Sequence, residues 1–343
     1  MRQTWTPGGI VALMAALILN ACNPGNVKLV SQDGKGDFKT IQEAIDAIPE
    51  GNDEAWTVKV GPGEYYEKVR IPAGKGNLTL VGAGAGRTVL WSDDYAGSGV
   101  RGQKAALAID ADDVTVARMT IKNTHVNIRE IPGENSHSQA QALTVGRCDR
   151  VAFYDCRITG YQDTFYANGG RVYLSNCYVE GNVDFIYGAA TMVFDKCEIF
   201  ANQHDSYLTA ASTQKSRKFG INFLDCTLSA KNPGEPDADG VPFYGFYLGR
   251  PWHNFARVAF IRCHEPATLY PAGWTFMNSG TMPHFYEYKC TGPGATTERL
   301  LRRVMGRQLT DDEAAAYTVE NIFSKDTDPL FTEDWKPSAK FGR

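Results

Sequence analysis

One alternation of apolar and polar positions recurs along the chain. It reads "RVAFYDCRITG" at 150–160, "RVYLSNCYVEG" at 171–181, "TMVFDKCEIFA" at 191–201, "GINFLDCTLSA" at 220–230 and "RVAFIRC" at 257–263. "DVTVARMTIKN" (113–123) has the same shape with Met119 in the cysteine slot, and "NLTLVGAGAG" (77–86) is a weaker copy. Each unit alternates apolar residues, inserts a polar pair, places a cysteine and resumes a short alternation. That predicts two short strands joined at a bend. Successive cysteines are 21, 20, 29 and 37 residues apart from Cys156 to Cys263. No unit can bury its own apolar face, so the units stack, with the unequal spacing taken up by loops. The pattern predicts an all-β fold, a parallel β-helix. A doubly wound α/β fold would need helical 3.6-residue periodicity between the strands, and that is missing.

Helical pattern appears only at the ends. "DFKTIQEAIDAIP" (37–49) sets Ile41, Ala44, Ile45 and Ile48 on one face, with Thr40 as N-cap, and predicts a helix capping the first coil. Residues 297–323 predict one or two helices in a C-terminal tail.

The first 21 residues read as an export signal: Arg2, then the apolar run 10–19, too short to span a bilayer. "LNAC" ends at Cys22 and resembles a lipobox, in which the cysteine becomes the lipidated N-terminus; an ordinary cleaved signal with an incidental cysteine is the alternative. Residues 22–27 then form a linker and 28–343 a single domain. The expected location is outside the cytoplasm, tethered by a lipid or else periplasmic or secreted. A net charge of −4 argues against nucleic acid or an anionic membrane surface as partner.

No CxxC pair suggests zinc. The stacked cysteines face inward, about 4.8 Å apart from rung to rung. That spacing admits a Cys177–Cys197 disulfide and equally a ladder of buried thiols.

The same register aligns charged residues. Asp163 lies 14 residues before Cys177, Asp184 lies 13 before Cys197, and Arg250 lies 13 before Cys263; Thr213 holds the slot before Cys226. They are expected in one column, Asp163 and Asp184 on adjacent rungs and Arg250 two rungs beyond, roughly 10 Å in backbone distance. Two carboxylates so close split their roles into a protonated acid and an ionised partner, the latter held by the guanidinium. A structural Asp–Arg–Asp network is the plain alternative. The local sequences "YQDTFY", "DFIYG" and "LGRPW" embed all three charges among aromatic residues, unlike a solvated face.

These segments resemble the pectinesterase (pectin methylesterase) family, and the resemblance runs from about residue 28 to 338. Its motifs are "DGKGDFKTIQEAIDAIP" (33–49), "GEYYEKV" (63–69), "QAQAL" (139–143), "YQDTFY" (161–166), "GNVDFIYG" (181–188), "LGRPW" (248–252) and "EYKCTGPGA" (287–295). Phe165 stands where the family has Leu, and Tyr187 where it has Phe. The resemblance implies a right-handed parallel β-helix and favours the Cys177–Cys197 disulfide. It implies an esterase that hydrolyses the C6 methyl esters of homogalacturonan, the backbone of pectin. Asp184 would be the nucleophile and Asp163 the general acid and base. Gln139 and Gln162 would hold the oxyanion, Arg250 would orient Asp184, and Trp252 would face the sugar, with Gln139 and Arg250 also on the substrate.

The chain has no G-x-S-x-G, no HExxH and no phosphate loop. No metal and no cofactor is implied, and a monomer is expected. Two rival functions remain, an esterase or thioesterase on another ester and a non-catalytic carbohydrate binder. Pectin hydrolysis is expected over both, because every active-site motif is present.

Overall fold

The computed structural model describes residues 24–126, 138–277 and 280–342. The export signal and Cys22 lie outside the described residues. Strands arrange in three parallel sheets of 11, 7 and 7 strands, and seven successive coils, from Trp56 to Pro251, each contribute one strand to each sheet in turn. The coil that begins at Val151 shows the order: Val151–Tyr154 in the first sheet, Arg157–Thr159 in the second, Phe165–Ala167 in the third. This is the parallel β-helix that the repeat predicts.

A local backbone step makes the repeat. Arg118, Asp155, Asn176, Lys196, Asp225, Arg262 and Lys289 all adopt φ between 46° and 55°. Each stands immediately before the inward slot held by Met119 and then by Cys156, Cys177, Cys197, Cys226, Cys263 and Cys290. The left-handed residue turns the chain from the first sheet into the second, and the small apolar residue after it fills the corner.

The Cys177–Cys197 disulfide is not formed; both are free, buried thiols. Adjacent rungs repeat one conformation, so the two side chains leave their strands in the same direction and stack instead of facing each other. The Cys177 thiol lies 3.4 Å from the Ser175 carbonyl oxygen and that of Cys197 lies 3.5 Å from Asp195's, while the Cys177 backbone N–H donates to the Cys197 sulfur at 3.4 Å. The ladder packs as small hydrophobes.

The central strands of the first sheet, from Val151–Tyr154 to Arg257–Ile261, are buried on both faces, as continuous apolar runs require. Their inner face meets the core, where the rings of Phe194, Phe223 and Phe260 stack at 4.7 and 4.4 Å. Their outer face is covered by the C-terminal tail through Leu309, Ala314, Ile322 and Phe323. Arg171, fully buried, fastens that tail: it pairs with Asp149 at 2.6 Å and donates to the carbonyls of Phe323 and Glu333. The tail differs from expectation. It holds three single-turn helices, Thr297–Leu300, Asp311–Ala314 and Val319–Ile322, and a strand, Gly306–Gln308, that extends the first sheet. Separate N-caps at Thr296, Thr310 and Thr318 start each turn anew.

The N-terminal helix is Ile41–Asp46, with a capping box between Thr40 and Glu43. Ile41, Ala44 and Ile45 are buried on the first coil. Glu67, from the "GEYYEKV" segment, accepts the backbone N–H groups of Ile41 and Gln42, and Lys75 donates to the carbonyls of Ile45 and Asp46. An acid at the helix start and a cation at its end both suit the helix dipole.

Candidate active site

The third sheet positions the charged residues. Its strands Phe165–Ala167 and Val183–Gly188 pair with Phe165 opposite Ile186, so Asp163 and Asp184 occupy equivalent places on adjacent rungs. Both have left-handed backbones, with φ of 63° and 52°. Aspartate tolerates this region better than most side chains. At Asp184 the kink coincides with a shift of register between Val183 and Ile186. The extra residue lets Asp184 sit among apolar neighbours while Phe185 stays fully buried in the core. Gly181 makes room: a Cβ there would lie 2.3 Å from the Phe185 Cβ.

Arg250 meets Asp184 in a two-pronged ion pair, Nε to Oδ1 at 2.8 Å and Nη2 to Oδ2 at 2.7 Å. Its guanidinium lies 4.2 Å from the ring centre of Tyr207. The expected single column needs correction. Arg250 aligns with Ala210 and through it with Tyr187, while Tyr207 and Tyr247 continue the rungs beside Val183 and Asp184. Ile186 precedes Cys197 by 11 residues, whereas its counterpart Gly249 precedes Cys263 by 14. Those extra residues displace Arg250 along its strand, and its long side chain reaches back to the carboxylate. Gly249 permits the close strand approach, since a Cβ there would lie 2.4 Å from the Thr209 carbonyl oxygen. Thr213 is outside the column; its hydroxyl accepts the Arg257 N–H at 3.1 Å.

Burial and the Asp184 charge push Asp163 up to about 7, against the opposing pull of Tyr187 and Arg250. Burial also raises Asp184, but the Arg250 hydrogen bonds and charge oppose it. With its cation in contact, Asp184 ionises first, and Asp163 keeps its proton near neutrality. The two groups therefore divide into an anion and an acid, as the sequence spacing predicts.

Gln139 and Gln162 lie in the connections that lead into the third sheet, on consecutive rungs. The Ala140 N–H donates to the Gln162 carbonyl at 3.2 Å, and both glutamines are half-buried. Trp252 follows the Arg250 strand, edge-on to Tyr187 at 5.7 Å and stacked on His253 at 4.9 Å. Tyr166 and Tyr187, tilted at 4.7 Å, continue this wall along the preceding rungs.

Two contacts go beyond the residues singled out from sequence. Gln141 Nε2 donates to the Tyr187 hydroxyl at 2.9 Å across the rung of Asp163, and Tyr187 opposes the rise in the Asp163 pKa. Gln141 lies two residues past Gln139 in the same motif. The available signal was its register, two residues before Leu143, as Asp163 is before Phe165.

The family model for pectinesterase matches residues 27–326. Pectinesterase 31 of Arabidopsis thaliana is 33% identical over 307 residues, spanning 87% of this chain and 92% of its own. Among solved structures, pectin methylesterase from Erwinia chrysanthemi superimposes with a TM-score of 0.76 at 28% identity, covering 91% of this chain and 98% of its own. A pectin methylesterase in complex with a hexasaccharide gives 0.76 at 29% identity, with the same coverage of both chains. Pectin methylesterase from carrot gives 0.75 at 28% identity, covering 86% of this chain and 92% of its own. With a matched model over most of its length and a relative this similar along nearly its whole extent, the chain belongs to the pectinesterase family.

Proposed function

We propose that this chain, a carboxylic ester hydrolase by family, releases methanol from the C6 methyl esters of homogalacturonan through a covalent acyl-enzyme on Asp184. The observation that carries the mechanism is the pair of rung-adjacent aspartates, one clamped by Arg250 and the other held neutral near pH 7. Asp184 attacks the ester carbonyl carbon. Amide N–H groups of Gln139 and Gln162 stabilise the oxyanion without adding a titrating charge. As the tetrahedral intermediate collapses, the C–O bond to the methoxy group breaks and Asp163 gives its proton to the departing methanol. A mixed anhydride links substrate and Asp184. The Asp163 carboxylate then takes a proton from water, whose oxygen attacks the anhydride. Asp184 leaves as the carboxylate and Asp163 is protonated again. Trp252 offers its ring as a wall for the sugar, and Arg250 keeps Asp184 oriented and ionised.

The wider reading follows from the same segments. The enzyme is exported, carries a lipid on Cys22 and acts as a monomer, a state that light scattering in solution tests. The direct experiment is methanol release from highly methylated pectin by the wild type and by Asp184→Asn. The wild type turns over and the variant does not. A variant that keeps its activity would remove Asp184 as nucleophile.

A further inference from the structure

Tyr187 makes two kinds of contact. Its ring packs on Tyr166 and Trp252, and a phenylalanine would serve there equally. Its hydroxyl does something a phenylalanine cannot. Gln141 Nε2 donates to Oη at 2.9 Å, reaching across the rung of Asp163, so Oη is set beside the Asp163 carboxyl group and acts on its ionisation. A phenol oxygen carries one hydrogen. With the amide N–H taken up by its lone pair, that hydrogen is left to donate to Asp163. Burial and the Asp163 charge also hold Tyr187 far above the ordinary phenol range, so it remains a donor at every working pH.

Gln141 is itself anchored. Its carbonyl accepts from Asn123 Nδ2 at 3.0 Å, one rung earlier, and Asn123 also donates to the Asp94 carbonyl at 2.9 Å. The relay therefore runs from the backbone of one coil, through Gln141 and Tyr187, to Asp163.

We propose that Tyr187, oriented by Gln141, is a positioning residue for Asp163, and that its hydroxyl holds the Asp163 carboxylate once that group has given up its proton. The proposal rests on the reading of Asp163 as general acid and base. The charged groups facing Asp163 are Asp184, which opposes its ionisation, and Arg250, which favours it. Gln141 and the chain neighbour Gln162 bring uncharged amides. The Tyr187 hydroxyl bonds more strongly to the anion than to the acid, so it acts on the same side as Arg250. Without it, Asp163 keeps its proton to higher pH.

The test is the pH profile of kcat/KM for methanol release by the wild type, Tyr187→Phe, Gln141→Leu and the double variant. Activity needs protonated Asp163, so its loss with rising pH reports that group. Tyr187→Phe should move this limb upward by on the order of one pH unit. Gln141→Leu should move it the same way by less, and add nothing once Tyr187 is Phe. Carbon-13 titration of the Asp163 carboxyl, assigned with Asp163→Asn, reads the same rise even in a variant of low activity. Asp163→Asn separates the two levels. If it releases methanol at the wild-type rate, the reading of Asp163 itself fails. If it is inactive while Tyr187→Phe leaves both the limb and the carboxyl midpoint in place, Tyr187 is only a wall and the proposal falls.

Discussion

Replacing Arg250 by Met tests the ion pair at its centre. The substitution keeps much of the side-chain length but removes the guanidinium that meets Asp184 at 2.8 and 2.7 Å. Asp184 is 8% exposed and the Arg250 side chain 23% exposed, so solvent replaces little of what is lost. Breaking a buried pair from one side costs about 3–5 kcal/mol. Taking the lower end because Arg250 reaches the surface, about 3 kcal/mol corresponds to about two pH units on Asp184. Asp184 is then protonated under conditions where the wild type is ionised, and Asp163 no longer feels a fixed neighbouring anion. The acid and the nucleophile become interchangeable. We expect the lower limb of the pH profile to move upward by about two units, so that methanol release on the acid side falls by up to about a hundredfold. Arg250→Lys keeps a charge without the two-pronged geometry and should fall between the two. Each profile is measured at saturating and at limiting pectin, alongside the melting temperature. If Arg250→Met keeps its pH limbs and loses activity only through a raised KM, the guanidinium serves substrate binding alone and the argument is refuted.

Three further outcomes follow from other parts of the molecule. Unfolded without reductant, the protein should show seven reactive thiols besides Cys22; five would mean that two of the ladder cysteines are bonded. Fatty-acid labelling should mark the wild type and be lost in Cys22→Ala, and no label on the wild type would exclude the anchor. Buried Glu265 and Glu287 share the single cation of Arg303, and burial together with the Glu287 charge pushes Glu265 up to about 9. Its folded value is raised above the unfolded one, so its contribution to stability is full below about pH 4 and is lost as pH rises toward about 9. The melting temperature should fall across that window, and Glu265→Gln should flatten the slope; an unchanged slope would refute it.

What could be read from sequence was what local structure decides. The step from left-handed residue to inward cysteine repeats within a few residues, so the rungs were visible in the spacing of Cys156, Cys177 and Cys197. The pairing of Asp163 with Asp184 was visible for the same reason, because little is inserted between their coils. Arg250 was recognised as their partner but given the wrong column, since three residues more separate Gly249 from Cys263 than Ile186 from Cys197. Such insertions leave no trace in a hydrophobic pattern. The tail was read as helical, but the number of its helices and its added strand were not legible, for a related reason. Helical periodicity in 297–323 competes with a sheet edge and with the outer faces of strands far away in sequence, and those contacts decide its form.

The fold also accounts for the use of two carboxylates and a distant arginine in the proposed mechanism. Parallel stacking sets equivalent residues about 4.8 Å apart, a distance no local adjustment can relax. Two carboxyl groups at rung spacing cannot both ionise freely, so a division into acid and anion is imposed by the backbone itself. The rung spacing does not say which aspartate takes which role. That choice is made from outside the pair, by a cation that arrives from two coils further along and bonds Asp184; the Tyr187 phenol, from the Asp184 strand, pulls Asp163 the other way without outweighing burial and the Asp184 charge. Moving the cation from Asp184 to Asp163, more than exchanging the aspartates, is what would reverse the roles.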